Sequence, residues 1–355
     1  MTGATEGMKG GGYYDANSSF QAKVAASGDA LLEQAVAALA VPADAPVTVA
    51  DYGSSEGRNS IATVTTALSL LSARRAAGFA VLHNDLPTND WRGLAANLAG
   101  PGSYLWRFPD TRTLFAPRSF FEPVTLPATV TLGTSGSSAH WLSRQPAGLD
   151  MPRSLYRSDA PPDQRAKILS QAAADWEAFL AARAEELQPG GVLLVQMLGT
   201  DGAPDPARVS AAGLLKLMNS CALALVDEGE IPADVYARYA FPVVPRTVDE
   251  ATAPMTGSLA DRLDLLHCGL NDVTSPYEAA LARTGDVAAF ARDYAAFTRA
   301  FSESSLRDGV FRFAKAGVDV VTDRFYAMMQ DALAARPEAY PFEDLTLSVM
   351  VRRRR

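Results

Sequence analysis

Two cysteines in 355 residues, Cys221 and Cys268, are too few for a disulfide framework, so a hydrophobic core must hold this chain and a reducing cytoplasm is its expected home. No apolar run reaches the roughly 18 residues of a membrane span, and the first residues lack the basic-then-apolar order of a signal peptide, so no membrane partner is expected. Acidic residues outnumber basic ones by 40 to 32, and the net charge of −8 argues against a nucleic-acid partner. The closing run of arginines reads as a solvated end. Histidine is scarce as well, at 3 residues. His267 stands next to Cys268, but one such pair lacks metal-ligand spacing, so no metal site is expected. The dinucleotide fingerprint G-x-G-x-x-G is also missing. What the chain does have is 48% hydrophobic and 20% charged residues, enough to bury one large domain with an appended cap.

Polar chemistry concentrates in two stretches. The first, K-G-G-G-Y-Y-D-A-N-S-S-F-Q from Lys9 to Gln21, reads as a loop rich in neutral hydrogen-bonding groups, suited to a small polar ligand more than to a phosphate. The second, D-Y-G-S-S-E-G-R-N from Asp51 to Asn59, follows the β-branched run Val47 to Ala50, read as a buried parallel strand. An Ala/Leu-rich helix from Ile61 to Arg75 comes next, so the unit is strand, glycine turn, helix, with a ligand expected at the strands' carboxyl ends. Asp51 and Glu56 in this turn would repel a pyrophosphate and accept a ligand carrying positive charge. S-adenosylmethionine, a sulfonium with no phosphate, fits. After a second apolar strand, Phe79 to Leu82, the motif N-D-L-P-T-N-D-W places Asp85 where an acid can accept both hydroxyls of a ribose. His83 is expected to pack or be solvated at the strand end.

Taken in order, M-K-G-G at Met8, N-S-S-F-Q at Asn17, D-Y-G-S-S-E-G-R-N at Asp51, N-D-L-P-T-N-D-W at Asn84, P-G-S-Y at Pro101 and H-W-L-S at His140 resemble the motifs of the plant SABATH methyltransferases. That family methylates salicylate, benzoate, jasmonate, indole-acetate and xanthines. The resemblance covers nearly the whole chain and implies a Rossmann-like α/β methyltransferase fold, a mostly parallel seven-stranded sheet with an antiparallel last strand, under a mainly helical cap. It implies S-adenosyl-L-methionine as cofactor, held by Tyr14, Ser18, Asp51, Gly53, Asn59, Asp85, Leu86, Ser103 and Tyr104. It places Lys9, Gln21, His140 and Trp141 at the methyl acceptor, with Gln21 and Trp141 clamping a carboxylate, and a homodimer is common in the family. The abundance of alanine, and of arginine over lysine, fits a high-GC bacterial member.

Some features depart from the family. Ser137 stands where an aromatic residue is usual, so a roomier acceptor pocket is expected, and residues between Phe108 and Val130, among them R-S-F-F-E-P-V-T-L-P, are extra. The chain divides into an S-adenosylmethionine-binding core over 1–204, a helical cap over 205–308, and a return to the core over 309–355. Within the cap, Val287, Phe290, Tyr294, Phe297 and Phe301 step at helical spacing, a face that reads as core. Val318 to Ala335 is expected as a core helix and Leu345 to Val351 as the last strand.

The expected reaction is methylation of the carboxylate of a small organic acid. A carboxylate is already ionised at neutral pH and needs no general base, so positioning in a water-poor site carries the catalysis. Nitrogen methylation of a heterocycle is the near alternative. A nicotinamide-dependent oxidoreductase and a non-catalytic binding protein are the distant ones.

Overall fold

The computed structural model describes residues 7–40, 47–73, 78–203, 207–342 and 345–355. Three helices, α1 (Tyr13–Asn17), α2 (Ser19–Ser27) and α3 (Asp29–Ala38), precede the first strand, β1 (Val47–Tyr52). Then follow α4 (Arg58–Ser72), β2 (Phe79–Asp85), α5 (Trp91–Ala99), α6 (Tyr104–Arg107), β3 (Arg112–Pro117), β4 (Val130–Gly136), α7 (Pro162–Glu186) and β5 (Leu187–Leu198). The remainder is α8 (Ala212–Asp227), α9 (Ala233–Ala237), α10 (Val248–Thr256), β6 (Leu263–Asp272), α11 (Pro276–Thr284), α12 (Val287–Gly309), α13 (Val318–Ala335) and β7 (Leu345–Arg353).

The strands form one seven-stranded sheet in the order β3-β2-β1-β4-β5-β7-β6. Strands β1 to β5 pair in parallel, and β7 lies antiparallel between β5 and β6. Strand order reverses between β1 and β4, the place where an open α/β sheet leaves a crevice at its carboxyl edge. Alternation along each strand divides two apolar layers. Val49, Val81 and Leu132 pack with Leu32 of α3, Leu68 of α4 and Leu94 of α5. Ala50, Leu82 and Leu193 face the other way, onto Trp176 and Phe179 of α7 and Ala251 of α10. The expected fold is the observed one.

A third apolar cluster lies over the crevice and joins Phe20 of α2, Met218 of α8, Tyr294 and Phe297 of α12 and Phe325 of α13. The aromatic stripe of α12 is therefore core, as its spacing predicts. Two elements differ from the sequence reading. The block 205–308, read as mainly helical, also supplies β6, an edge strand whose register shifts between Leu265 and His267 and whose residues after the buried Leu263 are half-buried or exposed, so neither a period of two nor a solid apolar run marks it. Helix α13, read as part of the sheet's core, buries Val321, Phe325 and Met329 in the cap's cluster instead. The boundary drawn at 204–205 lies outside the described residues.

Candidate active site

Three adjoining compartments open at the crevice, and the β1–α4 turn forms the wall between two of them. In that turn Gly53 has φ +91°, and a Cβ there would sit 2.1 Å from Ser138 Oγ, so only glycine fits. Gly57, at φ +100°, opens α4. The main-chain N–H groups of Gly53 and Ser54 donate to the Asn84 carbonyl at 2.8 and 3.0 Å, which ties the turn to the end of β2.

The first compartment lies under the N-terminal helices and is lined by Asp51, Gly53, Asn59, Gln196, Tyr14 and Gln21, among others. Asp51 is buried and accepts from Thr134 Oγ1 at 2.8 Å. Burial pushes its carboxyl above the usual range, against the hydrogen bonds of Ser60 and Thr134. Ser18 does not line this space; it stands behind Asn59, whose Nδ2 donates to Ser18 Oγ at 3.3 Å. Arg58 is the cation in this wall, and its Nη1 donates to the Asp15 carbonyl at 2.7 Å.

The second compartment is bounded by Asp85, Leu86, Ser119, Phe120, Phe121 and Trp141. Asp85 accepts the Ser55 N–H at 2.7 Å and the Leu86 N–H at 2.7 Å. Burial still pushes it up to about 6, and the charge of Asp51 adds to the effect. Phe120 and its neighbours are held from beneath by a buried pair. Arg183 Nε donates to Glu186 Oε2 at 2.7 Å, and its Nη1 and Nη2 donate to the carbonyls of Phe120 and Glu122 at 2.8 and 3.1 Å.

The third compartment is apolar, walled by Phe20, Phe241, Phe297, Phe301 and Phe342, and among the described residues no charged side chain lines it. Gln21, His140 and Trp141 supply its polar atoms, together with Tyr14 and Ser137. His140 Nδ1 accepts the Leu198 N–H at 3.3 Å, and burial beside Arg246 pushes the ring down to about 3. The imidazole is therefore neutral, with its proton on Nε2. Trp141 is buried with its ring edge-on to Phe241. Gln21 Oε1 is buried without a partner among the described residues, as is Ser55 Oγ in the turn. Such orphans cost free energy unless a ligand meets them. Tyr14 and Ser137 border all three compartments, so the three meet at this pair.

Several expected site residues lie elsewhere. Ser103 caps α6, accepting the Leu105 N–H at 3.1 Å. Tyr104 is fully buried under β2, its hydroxyl 3.1 Å from His83 Nε2 and 2.9 Å from Thr113 Oγ1. Their place in the wall is taken by Ser119 and Phe120, from the segment read as extra. The available signal was position: R-S-F-F follows the end of β3, and ligands sit beyond strand carboxyl ends. His83 is neither solvated nor at the surface; it lies in the core between Ser60 and Tyr104, pushed down to about 4 by burial. Lys9 does not line the apolar compartment either. Its ammonium pairs with Glu303 at 2.6 Å, above the Tyr13 ring.

The donor set fits S-adenosylmethionine: two buried carboxylates for a cationic amino-acid portion and a ribose, an aromatic wall for a base, and, among the described residues, no free cation facing a phosphate. Known proteins agree. The family model described as SAM dependent carboxyl methyltransferase matches residues 4–353. An O-methyltransferase, acrG, of Aspergillus aculeatus is 28% identical over 208 residues, 57% of this chain and 53% of its own. Caffeine synthase 3 of Camellia sinensis is 28% identical over 240 residues, 62% of this chain and 64% of its own. The chain thus spans under two thirds of the length of these curated relatives. A solved loganic acid methyltransferase with SAH has the same fold, with a TM-score of 0.79 at 20% identity, over 98% of this chain and 99% of that one.

Proposed function

Because the chain belongs to the SAM-dependent carboxyl methyltransferase family and uses S-adenosylmethionine, we propose that it converts the carboxylate of a small, largely apolar organic acid to a methyl ester. The observation that carries this reading is the apolar compartment itself. Its polar groups are neutral N–H donors, hydroxyls and the Gln21 amide oxygen, and none is a base in waiting: the one histidine is held neutral with Nδ1 already engaged. An acceptor that needs no deprotonation suits such a chamber, and a carboxylate is one. A heterocyclic N–H must lose its proton and finds no group placed to take it.

S-adenosylmethionine supplies an electrophilic methyl group on sulfonium. The chain's residues do the rest by placement. The Gln21 amide and the Trp141 indole N–H orient the acid's oxygens without the strong charge pairing that would quench them, while the phenylalanine walls exclude water. Holding reactants in this manner supplies roughly 7–11 kcal/mol of a barrier. Tyr14, at the meeting point of the compartments, borders both partners. On the donor side Asp51, Gly53 and Asn59 take the amino-acid portion, with Ser18 steadying Asn59. Asp85 takes the ribose hydroxyls, and Leu86 and Phe120 enclose the base. A homodimer working in the cytoplasm completes the reading, supported by the family resemblance and by two free thiols.

The decisive experiment incubates the protein with methyl-labelled donor and two panels, carboxylic acids and xanthines. An extractable, alkali-labile ester is the expected product; label fixed on a xanthine nitrogen would move the acceptor reading to nitrogen. Two substitutions test the donor wall. Tyr104→Phe should lower stability by about 1 kcal/mol through its lost hydrogen bonds and leave donor affinity unchanged. Phe120→Ala should weaken donor binding by roughly 1–3 kcal/mol, since a stacking wall is removed. Isothermal calorimetry with S-adenosylhomocysteine reads both, and the opposite ranking would restore Tyr104 to the site.

A further inference from the structure

One carboxylate beside the donor site is not needed to hold the donor. Glu56 is 1% exposed, sits in the β1–α4 turn, and is absent from the walls of all three compartments. Its two oxygens face the N-terminal segment instead. Oε1 accepts the Gly12 N–H at 2.5 Å and Oε2 the Asp15 N–H at 3.0 Å. Neighbouring contacts reinforce this flank. Asn97 Nδ2 donates both to the Glu56 carbonyl at 2.7 Å and to the Asp15 carboxylate at 2.5 Å, and the Gly11 N–H donates to Asp90 at 2.8 Å. Gly11 and Gly12 stand at φ +74° and +77° with open space around them, so it is the backbone conformation that requires glycine there. At the near end the Lys9 N–H donates to the Ala300 carbonyl of α12 at 3.0 Å. Residues 8–21 thus form a strap across the crevice, pinned to α12 at one end and to the donor turn along its middle. Between the pinned amides of Gly12 and Asp15 stands Tyr14, which borders all three compartments, and further along comes Gln21, whose Oε1 has no partner among the described residues.

We propose that Glu56 is a positioning residue for methyl transfer: its bidentate grip on the strap sets Tyr14 and Gln21 against the acceptor. This rests on the reading of the site given above. The grip needs two acceptor atoms. Glutamine at this position has the same shape but offers one, and turns its NH2 toward the other N–H. The strap then loosens while the turn, and with it the donor wall, stays in place.

The test compares Glu56→Gln with the wild type in four measurements. Hydrogen exchange of the Gly12 and Asp15 amides should quicken about tenfold or more. The acid's kcat/KM should fall by about tenfold or more, with S-adenosylhomocysteine affinity changed by less than about threefold and the melting temperature nearly unmoved. Glu56→Asp, which keeps both oxygens, should recover part of the lost kcat/KM. Wild-type exchange with wild-type kcat/KM overturns the proposal. So does a fall in donor affinity as large as the fall in kcat/KM, which would make Glu56 a support of the donor site alone. The exchange measurement needs no acceptor, so failure to find any esterified acid would refute the ester reading and leave the latch decided on its own.

Discussion

Asp85→Ala is expected to remove measurable binding of S-adenosylmethionine in a calorimeter. The carboxylate accepts the amides of Ser55 and Leu86 and has capacity left for two hydroxyls of a ribose. Losing a buried charged acceptor costs roughly 1.5–3 kcal/mol for each charged hydrogen bond, so two such bonds amount to a hundredfold or more in affinity. Unchanged affinity in this variant would take Asp85 out of the donor site and undo the ribose assignment.

The same residue gives the donor's affinity a pH dependence whose sign is fixed. Burial holds Asp85 at about 6, above the ordinary carboxyl value of 3.8. Below about 6 a proton competes with the ribose hydroxyls, so affinity should be flat above pH 7 and fall about tenfold per unit on the acid side. Stability runs the other way. A group that binds its proton more tightly in the folded protein than in the unfolded chain stabilises the fold at low pH, and that contribution fades as pH rises from 3.8 through about 6. At pH 7 the ligand-free protein therefore carries an ionised, desolvated carboxylate at a cost. Asp85→Asn should raise its melting temperature by about 2–4 °C while destroying donor binding, the usual exchange of stability for function. A melting temperature that falls would show that the two amides more than offset the burial.

Much of this site was legible because it is local. Asp51, Gly53 and Asn59 lie within one strand–turn–helix unit, and Asp85 and Leu86 at the tip of the next strand, so residue order alone brings them together. The residues that the structure places away from the three compartments are ones that a short match, not topology, had assigned there. P-G-S-Y at Pro101 has the right letters, but they cap a four-residue helix, and Tyr104 turns inward to His83. The aromatic wall of the second compartment follows the end of β3, a strand whose exposed Leu114 and Phe115 hide it from any periodicity argument. β6 was missed because an edge strand with a shifted register has no clean pattern. The Glu56 latch could not be read at all, since its partners lie 44 and 41 positions away and are main-chain amides with no side-chain signature.

Gln21 carries the second large effect, on the acceptor alone. Its Oε1 is buried without a partner among the described residues, and a carboxylate, which has no proton to give, would be met by the amide's NH2 and would leave that oxygen unsatisfied. Gln21→Leu keeps the volume and removes the orphan, so the melting temperature of the empty protein should hold or rise. The acid's kcat/KM should fall about a hundredfold, the loss of one or two hydrogen bonds to a charged oxygen, with S-adenosylhomocysteine affinity changed only a few-fold. Gln21→Glu separates the two acceptor chemistries. Burial in a chamber whose described lining holds no cation raises that glutamate's carboxyl, so it repels a carboxylate only once ionised, and ester formation should fall beyond the leucine variant as pH rises. A neutral heterocycle would meet no such repulsion, and its N–H would gain an acceptor. If the glutamate variant turned over as fast as the wild type at every pH, including where its carboxyl is ionised, the methyl group would be going to something other than a carboxylate, because the neutral donors Trp141 and His140 bring no positive charge to offset it.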